Sequence, residues 1–207
     1  MTSATGDATG DAADGATRGR RSERLVEELR SEFPAFCIRP KHGSGLQRAI
    51  DVALKVITLG AQRSYLTRYH TVLGATLWVP TLWELEDDDA RYVLLRHERV
   101  HLRQRRRYGA LGMALLYLLP ILPLGLALGR ARLELEAYAE TLRATAEVRG
   151  LAAARDPRLL DEIVRRFTSG DYGWMWPFPA TVRRWLLAIL DRIEHDQGAR
   201  APDARLD

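Results

Sequence analysis

DDDARYVLLRHERVHLRQRRRYG, residues 87–109, reads as one α-helix with a clear start and stop. Asp87, Asp88 and Asp89 suit the positive end of the helix dipole, and Gly109 ends the run after Tyr108. At 3.6 residues per turn Val93, His97, Val100, His101 and Gln104 share an inner face, and Arg96, Arg99, Arg103 and Arg106 an outer one. The inner face holds HERVH, residues 97–101, which matches H-E-x-x-H. Histidines four apart on a helix project side by side and can both reach one Zn2+. Glu98, next to the first of them, then lies at the edge of the site, where it can take a proton from a water polarised by the metal. Composition alone would supply this pattern only about 0.01 times per chain of this make-up. The bland alternative is a basic surface helix whose histidines fall at this spacing by accident. Against it, two neutral imidazoles on an apolar face need partners, and a metal supplies one.

Working outward, SYLTRYH and GATLWVP (64–80) are rich in β-branched and aromatic residues and split by Gly74, which predicts two strands of a small sheet. GATLWVP, just before the helix, is the expected edge on which an extended peptide would add as a strand. Upstream, Ser22 is expected to cap a helix to about Ser31, Pro34 and Pro40 break the chain, and residues 45–58 form a helix with Leu46, Ile50, Leu54 and Ile57 on one face. Downstream, an uncharged run from Gly109 to Gly129 is interrupted by Pro120 and Pro123. Further helices are expected from about Arg130, from Pro157 and over 180–195.

A catalytic zinc keeps three protein ligands and an open position. Besides the pair in HERVH, the histidines are His42, His70 and His195, and the lone Cys37 makes thiolate ligation unattractive. From Thr71 to Glu140 the sequence resembles the gluzincins, in which HExxH is followed by a second helix bearing a glutamate. RARLELEAYAE (130–140) looks like that helix, with Tyr138 where many members have Asp. HERVHLRQ also resembles a group of small bacterial HExxHxxQ proteins of largely unassigned function. The resemblance implies a mostly helical α+β, zincin-like fold with its small β-sheet packed on the HExxH helix, and a glutamate as third ligand. Glu134 and Glu136 lie about 200° apart on a helix, so only one can face the metal. Glu134, on the face of Ala137 and Tyr138, is favoured, and Glu136, on the face of Glu140, is the alternative.

The chain of 207 residues is long enough for one domain with a real core, expected over 22–198 between tails at 1–21 and 199–207. The first twenty residues hold no apolar signal region, so the expected location is cytoplasmic, with membrane association through 109–129 left open. A single span over 109–129 would part the histidines from Glu134. Two short apolar helices, 110–119 and 124–129, folded back as a hairpin avoid this, either as core or against a membrane face. Basic residues at both ends, Arg105–Arg107 and Arg130 with Arg132, suit a hairpin whose ends stay on the cytoplasmic side. A net charge of +4 is a modest excess, and no aromatics interleave the arginines, so nucleic acid is not an expected partner. In DYGWMWPFP (171–179) the aromatics either close the core or wall a substrate cleft, where Tyr172 is a candidate donor to a tetrahedral intermediate and His70 a weaker one. The expected activity is zinc-dependent hydrolysis of a peptide or protein substrate, with Zn2+ on His97, His101 and Glu134, and Glu98 as general base. The alternative is a non-catalytic module of the same fold that binds a membrane surface or a protein partner.

Overall fold

A computed structural model describes residues 21–41, 70–118, 127–169 and 175–200. The two expected tails (apart from Arg21 and residues 199–200), the helix at 45–58, residues 64–69, His42, the hairpin tip at 119–126 and Tyr172 lie outside them. In chain order the elements are α1 (Arg21–Glu32), β1 (Cys37–Pro40), β2 (Thr71–Leu73), β3 (Thr76–Val79), a 3-10 turn (Thr81–Leu85), α2 (Asp88–Leu118), α3 (Leu128–Arg149), α4 (Leu151–Ala154), α5 (Pro157–Thr168) and α6 (Pro179–Arg200). The protein is thus mostly helical with one small sheet, an α+β architecture.

The sheet has the order β1-β3-β2. β2 and β3 form an antiparallel hairpin, Thr71 opposite Trp78 and Leu73 opposite Thr76, closed by Gly74 and Ala75. The φ of +71° at Gly74 is the left-handed conformation that such a tight connection requires. β1 lies parallel to β3, with Ile38 opposite Leu77. The expectation that GATLWVP is a sheet edge is therefore wrong. β3 is paired on both sides, and among the described residues the edges are β1 and β2. Ile38, Leu77 and Val72 share one row and pack into the core with Val79, Leu95 and Leu102.

The three aspartates before α2 each hold something different. Asp87 caps the helix by accepting the Ala90 amide at 2.7 Å, and it also takes Arg149 from the end of α3. Asp88 Oδ1 accepts both the Ser22 amide, at 3.2 Å, and the Ser22 hydroxyl. Ser22 is thus inside α1 rather than its cap, and the carboxylate of another helix takes the capping role. Asp89 lies 3.8 Å from Arg21.

Of the arginines expected on an outer face of α2, Arg96 and Arg99 are largely covered and Arg103 is exposed but paired. Arg99 donates to Glu28 and Glu32, and Arg103 donates through two nitrogens to Glu32, so α1 clamps this side of the helix. Arg96 turns the other way, to Glu140 and Glu147 of α3. Gly109 breaks α2 with φ 69° and ψ 174°, and helix resumes to Leu118, matching the first of the two expected apolar helices. Of the second, Leu128 and Gly129 belong to α3, and 124–126 lie outside the described residues. The two arms return close together: a Cβ on Gly129 would lie 3.0 Å from the Leu116 carbonyl oxygen. Among the described residues no helix is long and apolar enough to cross a membrane.

Two cores flank α3. One gathers Leu25, Leu29, Phe36, Leu77, Leu95 and Leu102 from α1, the sheet and α2, and reaches α3 at Ala144. The other gathers Leu142, Ile163, Phe167, Val182, Leu186 and Leu190 from α3, α5 and α6.

Arg103, with Arg99 behind it, holds the Glu32 carboxyl down at about 2, against an ordinary 4.5. Glu32→Gln should therefore cost about 1 kcal/mol of stability at neutral pH. A depressed pKa contributes fully above 4.5 and is lost as the pH falls through about 2. Urea unfolding at a series of pH values should show wild type and variant converging on the acid side. A gap that stays constant down to about pH 2 would contradict the clamp.

Candidate metal centre

His97 and His101 stand one turn apart on α2, facing α3. The Nδ1 of His101 is 2.9 Å from Gln104 Oε1. The amide orientation of Gln104 follows from its other end, where Nε2 donates to the Leu133 carbonyl and to Glu136 Oε2, both at 3.0 Å. Gln104 Oε1 can only accept, so His101 Nδ1 carries a proton, and its Nε2 is turned toward His97. On the first histidine, Nδ1 is 2.9 Å from Thr141 Oγ1, and that hydroxyl gives its own proton to the Ala137 carbonyl at 3.3 Å. His97 Nδ1 is therefore the donor, and its Nε2 is turned toward His101.

The two Nε2 atoms face each other at 3.2 Å. Glu134 Oε2 lies 3.8 Å from that of His101 and 4.0 Å from that of His97. All three ligand atoms lie within 4.8 Å of one another. Two imidazole nitrogens and a carboxylate oxygen at this separation form a donor set that could hold a cation. Protonation of His97 is opposed by burial first, then by the charges of His101 and Arg166, which together hold its pKa well below the ordinary value. Zinc–nitrogen bonds of about 2.0–2.1 Å at a tetrahedral angle separate two nitrogens by about 3.3 Å, close to the observed spacing.

Glu98 is buried, 7% exposed, and lines the cleft in front of these atoms. Burial, with the charge of Glu134 adding and His101 opposing, pushes its carboxyl up to about 7. Such a group both takes and gives a proton near neutral pH. The cleft holds about 1130 Å³ and also meets Val72 of the edge strand β2, Met113, Tyr138 and Arg166. The Tyr138 ring packs edge-on against His97 at 5.0 Å and against Phe167 behind it. Its hydroxyl accepts from Arg166 at 3.3 Å. In the place where the gluzincin pattern has an acidic residue, Tyr138 thus supports a ligand ring by contact and not by a hydrogen bond.

Of the residues singled out in the sequence, His97, Glu98, His101 and Glu134 meet in this cleft, while Glu136 points to Gln104. His70 lines the cleft too, its Nε2 3.5 Å from Glu86. Burial, with Lys41 and Arg166 adding, lowers its pKa to about 4, so the ring is neutral at neutral pH. His195 is exposed on α6. Of the aromatic loop, Met175 is buried and Trp176 packs against Trp185, closing the second core. Thr141 and Arg166 were missed. Thr141 sits one turn after Ala137 and two after Glu134, a spacing that could have placed it on the ligand face. Nothing in the sequence marks Arg166. Compared with known proteins, the chain matches no family model, no curated protein and no solved structure.

Removing a partner that orients a ligand typically weakens a metal site 10–100-fold. Gln104→Ala and Thr141→Ala should each lower Zn2+ affinity by about that range while leaving the fold intact, measured by competition with a chromophoric chelator. Glu134→Gln should cost more than either, and Glu136→Gln less. A ranking with Glu136 above Glu134 would remove the assigned carboxylate.

Proposed function

We propose that the protein is a zinc-dependent hydrolase of peptide bonds with a zincin-like, gluzincin-type arrangement. The observation that carries this reading is the convergence of two imidazole nitrogens and one carboxylate oxygen beside the buried carboxyl of Glu98. His97 Nε2, His101 Nε2 and Glu134 Oε2 would hold the ion. When bound, Zn2+ supplies Lewis acidity to the attacking water and the scissile carbonyl.

The chain's own residues do the rest. Gln104 and Thr141 hold the imidazoles in the tautomer that presents Nε2. Glu98 takes the proton of the attacking water as the oxygen–carbon bond forms, and returns it to the amine nitrogen as the carbon–nitrogen bond breaks, so the carboxylate is regenerated. Arg166, on the facing wall with Tyr138, offers positive charge to the oxygen that becomes negative. Tyr172 is proposed as a further donor. An extended substrate would pair with β2, whose outer side has no described strand against it, with apolar side chains seated against Val72 and Met113.

Glu98→Gln keeps the size and an acceptor oxygen but cannot take the proton. The variant should retain one bound zinc per chain and wild-type stability, and lose about 10²–10⁴-fold in rate on a peptide library or denatured protein. Equal behaviour of wild type and variant across a broad peptide panel, both with zinc bound, would refute the enzyme reading in favour of a non-catalytic module.

A further inference from the structure

Four of the seven large apolar side chains left exposed among the described residues lie on two adjoining helical segments. They are Tyr108, Leu111, Leu115 and Leu128, the leucines 74%, 48% and 48% exposed. They lie where α2 resumes after the Gly109 kink and where α3 begins, and the Gly129–Leu116 contact brings these two segments together. The eight residues that join them in the chain, 119–126, contain no charge. A leucine on a lone surface position needs no explanation, but a cluster at one tip marks an interaction site.

Basic side chains surround the cluster. Arg107 lies over the Tyr108 ring, and Arg132 is 81% exposed one turn after Leu128 on the same face of α3, with only a long 3.9 Å approach to Glu136. Exposed Arg105 and Arg106 occupy the preceding turn of α2. Apolar side chains ringed by guanidinium groups on a short helix match an anionic bilayer surface, where the leucines enter the acyl boundary and the arginines meet phosphates.

We propose that this tip, built from Tyr108, Leu111, Leu115 and Leu128 with Arg107 and Arg132, docks the protein on an anionic lipid surface without crossing it. Ala110, Met113 and Ala114 of the same α2 segment line the cleft, so docking brings the cleft mouth to the lipid. The substrate class of the proposed hydrolase becomes a protein segment close to a membrane surface. That clause rests on the hydrolase reading; the docking itself does not.

Co-sedimentation of the full chain with vesicles tests it. Binding should occur with phosphatidylcholine mixed with phosphatidylglycerol, weaken with salt, and be at least tenfold weaker with phosphatidylcholine alone. Leu111→Glu with Leu115→Glu should abolish it, since each leucine contributes on the order of tenfold or more. Arg107→Gln and Arg132→Gln, exposed changes that leave packing alone, should each weaken it about fivefold. Glu98→Gln and zinc-free protein should bind as wild type, which separates this proposal from the hydrolase. No wild-type binding to the anionic vesicles overturns the proposal, as does binding that survives the leucine pair. Sedimentation equilibrium showing a dimer that the leucine pair dissolves would assign the tip to a second copy of the chain, and overturns it too.

Discussion

The close approach of two imidazole nitrogens, 3.2 Å apart, is the constraint around which α2 and α3 are arranged. Neither ring can turn to relieve it. Gln104 holds one from below, and Thr141 holds the other from across the interface. Gln104 is held in turn by a carbonyl and a carboxylate of α3, so the register between the helices is written into the tautomers. Sliding α3 by one residue would part Glu134 from the nitrogens, Leu133 from Gln104, and Thr141 from His97 together. On the proposed reading, a cation bound by the three converging atoms makes this arrangement favourable.

The packing of α2 on α3 keeps carboxyl groups in different states. Glu98 is buried and pushed up to about 7, while Glu140, on the neighbouring face of α3, is held below its ordinary range by Arg96 and Arg143 despite burial. Arg96 reaches across to Glu140 and Glu147, so the positive charge on α2 is spent on its neighbours and not on the ligands. For Glu98 burial is the largest influence, with His101 opposing it and Glu134 adding to it.

How much of this was legible depends on how local each signal is. The pairing of His97 with His101 follows from helix geometry over four residues. The same period lets only one of Glu134 and Glu136 face them, and the preference for Glu134 comes from the resemblance of its face to the gluzincin pattern. Asp87, Gly109, Pro157 and Gly74 mark ends and turns by their own backbone chemistry, and the structure has its boundaries there. β1 carried no such signal: CIRP is four residues ending in proline, and it becomes a strand only because a parallel partner lies 39 residues away. For the same reason β3 looked like an edge. The arginines of α2 were read as a solvent face because periodicity cannot see Glu28 and Glu32, 67 to 71 residues distant. Thr141 lay in reach of a helix-phase argument that was stopped one turn short.

α3 gives side chains to both cores, Leu142 to one and Ala144 to the other. Neither core is complete without it, so the two halves cannot melt independently while it is helical. On the proposed reading, this shared helix also carries one ligand, the Thr141 partner of His97, and the carbonyl and carboxylate that hold Gln104. A ligand that binds only the native state adds about 1.4 kcal/mol of stability for each tenfold excess over its dissociation constant. That increment would be felt across the whole cooperative unit, from the sheet to α6. The folded population of the entire chain would then follow the free zinc level of its surroundings, and persistence of the protein would report metal supply.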